Sequence, residues 1–145
     1  MIKLVVTDID DTFVAVGRPH ATEHAIASVH ALQEAGVTFS VVTGRRMSAI
    51  RKLFCEDDAC YQTAITSNGQ RIYVGGECIH TQYLDHDALV RAAEVGSSFE
   101  GYAMGLYKGH KVELVATSEE EVERYGLAFW NDAHVVDGVS EHQYY

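Results

Sequence analysis

Short apolar runs alternate with stretches of helical periodicity in the first half of the chain. Three β-branched runs predict buried strands, and they cover residues 2–7, 37–42 and 63–66. The first of these, IKLVVT, has the composition of a strand that is buried on both faces. Apolar residues recur at helical spacing within 26–35 and 47–54, which predicts a helix after each of the first two strands. This order of elements predicts parallel strands in an α/β fold.

The chain beyond Gly69 carries a hairpin signal, then a helical stretch and two further strand-like runs. These elements are predicted at residues 71–74, 77–79, 84–93, 102–107 and 111–115. The hairpin signal is Gly75-Gly76, which lies between the first two of these runs. We therefore expect residues 1–80 to form a partial Rossmann-like sheet and residues 81–145 to form part of an α+β module.

Residues with capping preferences mark the ends of several predicted helices. Thr22 stands where the first helix needs an N-cap, and Gly36 stands where that helix should end. Ser118 through Glu121 form a capping box, which predicts a helix that includes Tyr125 and Phe129.

Polar clusters directly follow each of the three predicted parallel strands. They are Asp8-Ile9-Asp10-Asp11-Thr12, Thr43-Gly44-Arg45 and Ser67-Asn68-Gly69. The carboxyl ends of parallel strands meet at one edge of a sheet, and open α/β sheets bind ligands at that edge. We therefore expect the three clusters to contribute to one site.

The acidic cluster has the composition of a site for phosphoryl transfer and metal binding. The carboxylates of Asp8 and Asp10 can converge above the sheet edge, where Mg²⁺ would leave room for water and phosphate oxygens. One carboxylate can attack phosphorus, while the other protonates the leaving oxygen and then activates water. The alternative is an acidic turn that only caps the first helix. The strand before the cluster and the polar residues at two later strand ends favour the site.

The second and third clusters carry groups that are suited to a phosphorylated substrate. Thr43 offers a hydroxyl, Gly44 allows close approach of the backbone, and Arg45 could clamp an oxyanion or another part of the substrate. The following helix would add unpaired N–H groups and a positive dipole. Asn68 could donate a hydrogen bond to substrate. The alternatives are an ordinary strand-to-helix turn for the second cluster and a common Asn-Gly turn for the third.

Composition and charge restrict the compartment and the partners. The 145 residues include 11 Lys and Arg against 21 Asp and Glu, and the formal net charge of −10 disfavours nucleic-acid binding. No apolar run reaches the length of a signal-peptide core or a membrane span, so no membrane partner is expected. Cys55, Cys60 and Cys78 show no CxxC spacing, which indicates reduced thiols in a cytoplasmic protein.

The eight histidines do not form a recognisable set of metal ligands. His24 and His30 are six residues apart, which places them poorly for one face of a helix. No HExxH or paired His/Cys motif occurs, so the sequence predicts no dedicated transition-metal site.

Three motifs together resemble the haloacid-dehalogenase-like (HAD) superfamily, and in particular its Cof-type sugar-phosphatase branch. They are IKLVVTDIDDTF at the start, VVTGR at the second predicted strand and ITSNGQRIY at the third. The resemblance covers residues 1–80 well and continues more loosely to about residue 138. It implies the N-terminal part of a Rossmann-like core, followed by the start of an α+β cap domain. It also implies a phosphatase that acts on small phosphorylated metabolites such as sugar phosphates.

The resemblance assigns roles to individual residues. Asp8 would be the nucleophile, forming an aspartyl-phosphate, and would also bind Mg²⁺ through its side chain. Asp10 would be the general acid and base and would bind the metal through its backbone carbonyl. Thr43 would hold the transferring phosphoryl group. The region after residue 80 would begin a cap that sits over the site and selects the substrate.

Two features depart from the family pattern. Asp11 stands where this branch usually has glycine, although Asp-Asp-Thr occurs in related branches. The downstream lysine and the downstream acidic pair of the family have no counterpart between residue 81 and Tyr145. We therefore expect the chain to be a truncated fragment, whose incomplete sheet favours self-association.

Three interpretations follow from these observations. The leading one is a Mg²⁺-dependent phosphomonoester hydrolase. The first alternative is a catalytically inactive remnant that binds metal or phosphate weakly, which the missing lysine and acidic pair favour. The second is a receiver-like phospho-acceptor domain. That domain would need an aspartate at the end of the third strand, where this chain has Ser67-Asn68-Gly69.

Overall fold

The computed structural model of this chain describes residues 1–109, 111–116, 118–125 and 133–145. These residues divide into two compact units, Met1–Gln82 and Tyr83–Tyr145. Each unit contains its own cluster of buried hydrophobic side chains. The predicted α/β class is confirmed, since the first unit contains a sheet with parallel strands and helices between them. The assignment of the two units as core and cap stays a prediction.

The first unit is a five-stranded sheet with two helices. Its strands are β1 (Leu4–Thr7), β2 (Thr38–Val42), β3 (Ala64–Thr66), β4 (Arg71–Val74) and β5 (Glu77–Thr81). Its helices are α1 (Glu23–Glu34) and α2 (Met47–Leu53), and two short 3₁₀ turns cover Asp58–Cys60 and Ser67–Gly69. The strands lie in the order β1-β2-β3-β4-β5, with β1, β2 and β3 parallel and the β4–β5 hairpin antiparallel. The predicted parallel pairing and the predicted hairpin are both confirmed.

The predicted ends of the first helix are also confirmed. The side chain of Thr22 accepts a hydrogen bond from the backbone N–H of Ala25 at 3.1 Å, which satisfies one donor of the first turn. Gly36 follows the helix with φ +73°, a conformation that glycine adopts without steric cost. Val29 is fully buried on this helix and contributes about 1.5–3 kcal/mol through the apolar surface that it removes from water.

The prediction that the first strand is buried on both faces is wrong. β2 has neighbours on both sides, and its residues Phe39, Ser40 and Val41 are all buried. β1 lies at the end of the sheet, and Leu4 and Val6 remain 52% and 50% exposed. Composition alone cannot distinguish these cases, because both strands are β-branched and apolar, whereas burial depends on what packs beside the strand.

In the described part of the second unit, three strands form one sheet and two helices are present. Its helices are α3 (His86–Gly96) and α4 (Glu119–Arg124), and its strands are β6 (Ala103–Lys108), β7 (Lys111–Ala116) and β8 (Ala133–Val136). β6 and β7 are antiparallel, and β8 pairs in parallel with β7. The sequence did not predict β8. The predicted extension of α4 through Phe129 lies outside the described residues.

Side-chain caps define the helix starts in this unit. Asp85 accepts from the backbone N–H of Ala88 at 2.8 Å, and Ser118 accepts from that of Glu121 at 3.1 Å. The carboxylate of Glu121 accepts from the backbone N–H of Gly101 at 3.2 Å, which ties α4 to the loop before β6. None of the helices in the described ranges is both long and apolar enough to cross a membrane.

We expect the exposed face of β1 to drive self-association, because its edge carries unpaired backbone groups beside exposed apolar side chains. Replacing Leu4 and Val6 together by lysine should lower the apparent mass in sedimentation velocity. The matched control is the double replacement of Val74 and Ile79 by lysine. Those residues are 51% and 59% exposed on β4 and β5, and their replacement changes the charge equally. Equal dissociation by both variants, or a wild type that stays monomeric, would contradict this expectation.

Candidate active site

The register of the parallel strands brings the three polar clusters to one edge of the sheet. Thr7 pairs with Val41, and Val41 pairs with Ala64. The carboxyl ends of the three parallel strands therefore lie at the same level of the sheet. The backbone N–H of Thr43 donates to the carbonyl of Ile65 at 3.0 Å and extends the β2–β3 pairing one residue beyond the end of β2. Residues that directly follow these strands therefore lie at the same edge, as the sequence predicted.

A buried isoleucine fixes the conformation of the acidic cluster. Ile9 is fully buried, whereas its neighbours Asp8 and Asp10 are exposed. The carbonyl of Ile9 accepts from the backbone N–H groups of Phe13 and Val14 at 3.0 and 2.8 Å, which folds the chain into a tight loop. Burial of one side chain thus holds the two carboxylates beside it on the solvent side.

The conformation of this loop explains why the family usually has glycine at the position of Asp11. Asp11 adopts φ +59°, and its backbone N–H donates to the carbonyl of Val14 at 2.9 Å. Glycine reaches this left-handed region freely, and aspartate tolerates it better than most other residues. The departure at Asp11 is therefore compatible with the loop.

Backbone hydrogen bonds join the second and third clusters. The N–H of Ser67 donates to the carbonyl of Arg45 at 3.1 Å, and the N–H of Asn68 donates to the carbonyl of Thr43 at 3.2 Å. The buried hydroxyl of Thr43 also accepts from the N–H of Arg45 at 3.2 Å. These bonds place the segment after β2 directly against the segment after β3.

Gly44 and Asn68 are in close contact within this arrangement. A Cβ atom at Gly44 would lie 2.8 Å from the side-chain oxygen of Asn68, a distance that requires one of them to move. Asn68 itself has φ +56°, which asparagine adopts more readily than most residues. The absence of a side chain at Gly44 thus makes room for the amide of Asn68, while the predicted approach of its backbone to a phosphate stays a prediction.

A two-pronged ion pair joins the acidic cluster to the second cluster. Nε of Arg45 donates to Oδ2 of Asp10 at 2.9 Å, and Nη2 donates to Oδ1 at 2.6 Å. The two side chains are 38% and 50% exposed, so water screens part of the attraction. The sequence suggested both residues for the site but did not predict that they pair with each other.

The ion pair changes the protonation of Asp10. The hydrogen bonds from Arg45 are the largest cause, and they lower the pKa of the Asp10 carboxyl while partial burial opposes the shift. The same pairing raises the pKa of Arg45. Contact with Arg45 therefore favours the ionised form of Asp10 and opposes its protonation.

Two buried hydroxyls lie at the end of β3, and the sequence assigned neither of them a role, although Ser67 belongs to the third polar cluster. Thr66 and Ser67 are 0% and 2% exposed, and neither hydroxyl has a hydrogen-bond partner among the described residues. Ser67 also adopts φ +51°, an uncommon conformation for serine. Strained backbone and unpaired buried polar atoms occur together at functional sites more often than elsewhere. The signal in the sequence that could have identified Thr66 and Ser67 is that two hydroxyl residues stand side by side at the end of a buried strand.

The structure places the predicted site residues in two groups at the same edge. Asp10 and Arg45 form the ion pair, while Thr43, Gly44 and Asn68 belong to the joined segments after β2 and β3. Asp8 directly follows β1, and its side chain forms no ion pair with any described residue. The carboxylate of Asp8 is thus exposed and available to a ligand.

Replacing Gly44 with alanine should force Asn68 out of its position and destabilise the first unit by about 1–3 kcal/mol. Urea unfolding would measure this change. A second replacement, Asn68→Ala, should recover most of the loss because it removes the clashing amide. Gly138→Ala is the matched control, since a Cβ there meets no atom within 4 Å. An unchanged stability in Gly44→Ala would show that the contact does not constrain the loop.

The Asp10–Arg45 pair should contribute stability that depends on pH. Because the folded pKa of Asp10 is lowered, the contribution is present above its unfolded pKa of about 3.9 and is lost as the pH falls through the folded value. Arg45→Gln should lower the free energy of unfolding by up to about 1 kcal/mol at pH 7. This difference should be smaller at pH 3 than at pH 7, because part of the contribution is lost below the unfolded pKa of Asp10.

Urea unfolding at both pH values measures this effect, with Arg91→Gln as a control that removes the same charge from the exposed surface of α3. A difference between wild type and Arg45→Gln that persists unchanged at pH 3 would exclude Asp10 as its source.

Comparison with known proteins agrees with the fold. The family model for haloacid dehalogenase-like hydrolases matches residues 5–126. No curated protein sequence matches the chain. Three similar solved structures illustrate the likeness. The first is a HAD-superfamily phosphatase from Bacteroides thetaiotaomicron (20% identity, TM-score 0.73). The second is a HAD subclass IIB sugar phosphatase (21% identity, TM-score 0.70). The third is a haloacid dehalogenase-like hydrolase from B. subtilis (16% identity, TM-score 0.73).

These structures cover nearly all of this chain but are considerably longer. They cover 94%, 92% and 99% of it, respectively, whereas the chain spans 50%, 52% and 60% of their own lengths. At these identities the likeness establishes the fold, and the family model, which matches most of the chain, establishes the family. This chain belongs to the haloacid dehalogenase-like hydrolase family.

Proposed function

We propose that the chain carries the phosphoryl-transfer residues of a Mg²⁺-dependent phosphatase of the Cof type, which hydrolyses small phosphorylated metabolites through an aspartyl-phosphate. The observation that supports this most strongly is the meeting of three polar segments at the carboxyl edge of one parallel sheet. Asp10 contacts Arg45, and the backbone of Ser67 and Asn68 contacts that of Arg45 and Thr43. Such an edge is where open α/β sheets bind ligands.

In the first proposed step, the exposed carboxylate of Asp8 attacks the phosphorus atom of the substrate. A bond forms between Asp8 and phosphorus while the bond between phosphorus and the leaving oxygen breaks. Asp10, in its protonated form, donates its proton to that leaving oxygen. The alcohol product is released, and the phosphoryl group remains on Asp8.

In the second step, Asp10 accepts a proton from water as the water oxygen attacks phosphorus. The bond between Asp8 and phosphorus breaks, which releases inorganic phosphate and regenerates the Asp8 carboxylate. Thr43 and Asn68 are proposed to donate hydrogen bonds to the phosphoryl group and the substrate. The backbone contacts between their two segments would hold these donors in position.

The donor set at this edge fits a hard divalent cation such as Mg²⁺. The carboxylate of Asp8 is available, whereas that of Asp10 is engaged by Arg45, which leaves the backbone carbonyl of Asp10 as its proposed metal ligand. Mg²⁺ commonly takes one or two protein oxygens and keeps several waters. When bound, such a cation neutralises charge on phosphoryl oxygens.

The pairing of Asp10 with Arg45 suggests how substrate would start the reaction. Because Arg45 lowers the pKa of Asp10, the paired carboxylate is a poor proton donor. A phosphate group offers Arg45 a second anion with matching two-pronged geometry. We propose that substrate draws Arg45 away from Asp10, which raises the pKa of Asp10 and allows it to act as the acid.

The proposed substrate class rests on the family and on charge. One similar structure is described as a sugar phosphatase of subclass IIB, which supports small phosphorylated sugars as substrates. The formal net charge of −10 opposes binding of a nucleic-acid backbone. The negative charge of a small phosphate ester needs to be neutralised only at the phosphate group, and Arg45 and a divalent cation would supply the positive charge.

The test is phosphate release from an aryl phosphate by the 145-residue chain, with Mg²⁺ and with a chelator. Asp8→Asn should lower turnover by at least about 10³-fold because it removes the nucleophile. Asp11→Asn is the matched control, since it removes the same charge from the same loop without touching the proposed chemistry. It should retain most of the activity.

Each result has a defined meaning. Turnover that requires Mg²⁺ and disappears only in Asp8→Asn would support the proposal. The absence of turnover in folded wild-type protein would instead favour the alternative, a module that binds metal or phosphate without hydrolysis. The paired, ionised Asp10 is the structural observation that favours this alternative.

A further inference from the structure

A second group of potential metal ligands lies elsewhere in the first unit. His30 of α1 faces Asp57 and Cys60 at the 3₁₀ turn that precedes β3, and Nε2 of His30 lies 2.8 Å from Oδ2 of Asp57. One ligand atom from each of the three residues lies within 4.8 Å of the other two. Within the described ranges, no other group of three or more His, Cys, Asp or Glu residues meets this criterion.

Backbone and side-chain hydrogen bonds hold the two segments of this cluster together. Nε2 of Gln33, one turn after His30 on α1, donates to the carbonyl of Ala59 at 2.6 Å. The N–H of Asp57 donates to the carbonyl of Phe54 at 3.0 Å, and that of Cys60 donates to Asp57 at 3.1 Å. The ligand-bearing residues are therefore fixed by contacts that do not depend on a bound ion.

The donor chemistry matches a borderline-soft divalent ion. An imidazole nitrogen, a carboxylate oxygen and a sulfur are the three ligand types that proteins use for zinc. With bonds of 2.0–2.3 Å, two donors on one zinc ion lie no more than about 4.6 Å apart. The ligand atoms of the three residues all lie within 4.8 Å of one another, so modest side-chain movements would bring them to one ion. Mg²⁺ does not fit this set, because it prefers oxygen ligands.

A His–Asp ion pair alone does not account for Cys60. The side chain of Cys60 is fully buried, and its sulfur lies within 4.8 Å of a ligand atom of both His30 and Asp57. A divalent metal bound here would neutralise the carboxylate of Asp57 and displace the thiol proton of Cys60.

We propose that His30, Asp57 and Cys60 bind a zinc-class divalent metal ion that joins α1 to the turn before β3. The side chains of His30 and Asp57 are 45% and 29% exposed, which leaves a path for the ion and room for a water as fourth ligand. Cys60 supplies the buried end of the site. The ion would connect segments 27 to 30 residues apart in the chain.

This site is separate from the candidate active site. The turn at Asp58–Cys60 comes before β3, whereas Ser67 and Asn68 come after it. The metal-binding group therefore lies toward the amino ends of the parallel strands, opposite the edge that carries Asp8 and Asp10. Its role would be to stabilise the unit, and it goes beyond the proposed phosphatase activity without depending on it.

The first test is a Co²⁺ titration of the full chain, followed by displacement with Zn²⁺. Wild type should show a thiolate-to-cobalt charge-transfer band, which reports Co²⁺ bound at Cys60 and not at the carboxylates of the candidate active site. The band should be lost in Cys60→Ser and retained in Cys55→Ser, whose cysteine is exposed. A band that persists in Cys60→Ser, or no band in folded wild type, would overturn the proposal.

The second test uses a substitution at a partly exposed residue and leaves the buried Cys60 unchanged. His30→Gln alters a partly exposed side chain on α1, and His24→Gln is the matched control on the same helix. Zn²⁺ should raise the midpoint of thermal unfolding of wild type and His24→Gln. His30→Gln should show a much smaller shift and bind Zn²⁺ at least about tenfold more weakly. Equal shifts in both variants would place the zinc elsewhere and refute the site.

Discussion

The candidate active site depends on the shared register of three parallel strands. Thr7, Val41 and Ala64 lie side by side, so the residues that follow each strand leave the sheet at the same level. The carbonyls of Thr43 and Arg45 then accept backbone hydrogen bonds from the turn after β3, which joins two of the loops. A shift of one residue in either pairing would turn alternate side chains to the opposite face and separate these loops. Side-chain chemistry at this edge is thus a consequence of backbone pairing in the core.

Electrostatics at this edge impose a second constraint. A chain with a net charge of −10 can bind a phosphate ester only where positive charge is concentrated. Arg45 supplies such a charge, but Asp10 already engages its guanidinium. The same contact that positions both side chains keeps Asp10 ionised. In the proposed mechanism, proton donation and anion binding would therefore be coupled, because an anion that binds Arg45 would also change the proton affinity of Asp10.

Much of the fold followed from local patterns in the sequence, while the pairings within the sites did not. Apolar periodicity predicted β1 to β3 and α1, and the capping residue Thr22 fixed the start of α1. These signals are local, so sequence alone contains them. The exposure of Leu4 and Val6 was mispredicted because burial depends on neighbours that are distant in the chain. The Asp10–Arg45 pair spans 35 residues and the His30–Asp57 pair spans 27, and no spacing rule connects residues at such separations.

The two metal sites proposed in the first unit differ in donor chemistry, and this difference would keep their ions apart. The carboxyl edge offers oxygen donors from Asp8 and Asp10, which suit a hard ion that retains water and binds phosphate. The group at His30, Asp57 and Cys60 offers nitrogen, oxygen and sulfur in a partly buried pocket, which suits a borderline-soft ion. Raw affinity favours transition metals over Mg²⁺ at almost any site, so selectivity must come from ligand type and geometry. A sulfur-containing site at the opposite edge would hold zinc-class ions without offering Mg²⁺ a competitive position. With both proposed sites, the same sheet would carry two kinds of metal chemistry, because its two edges present different side chains.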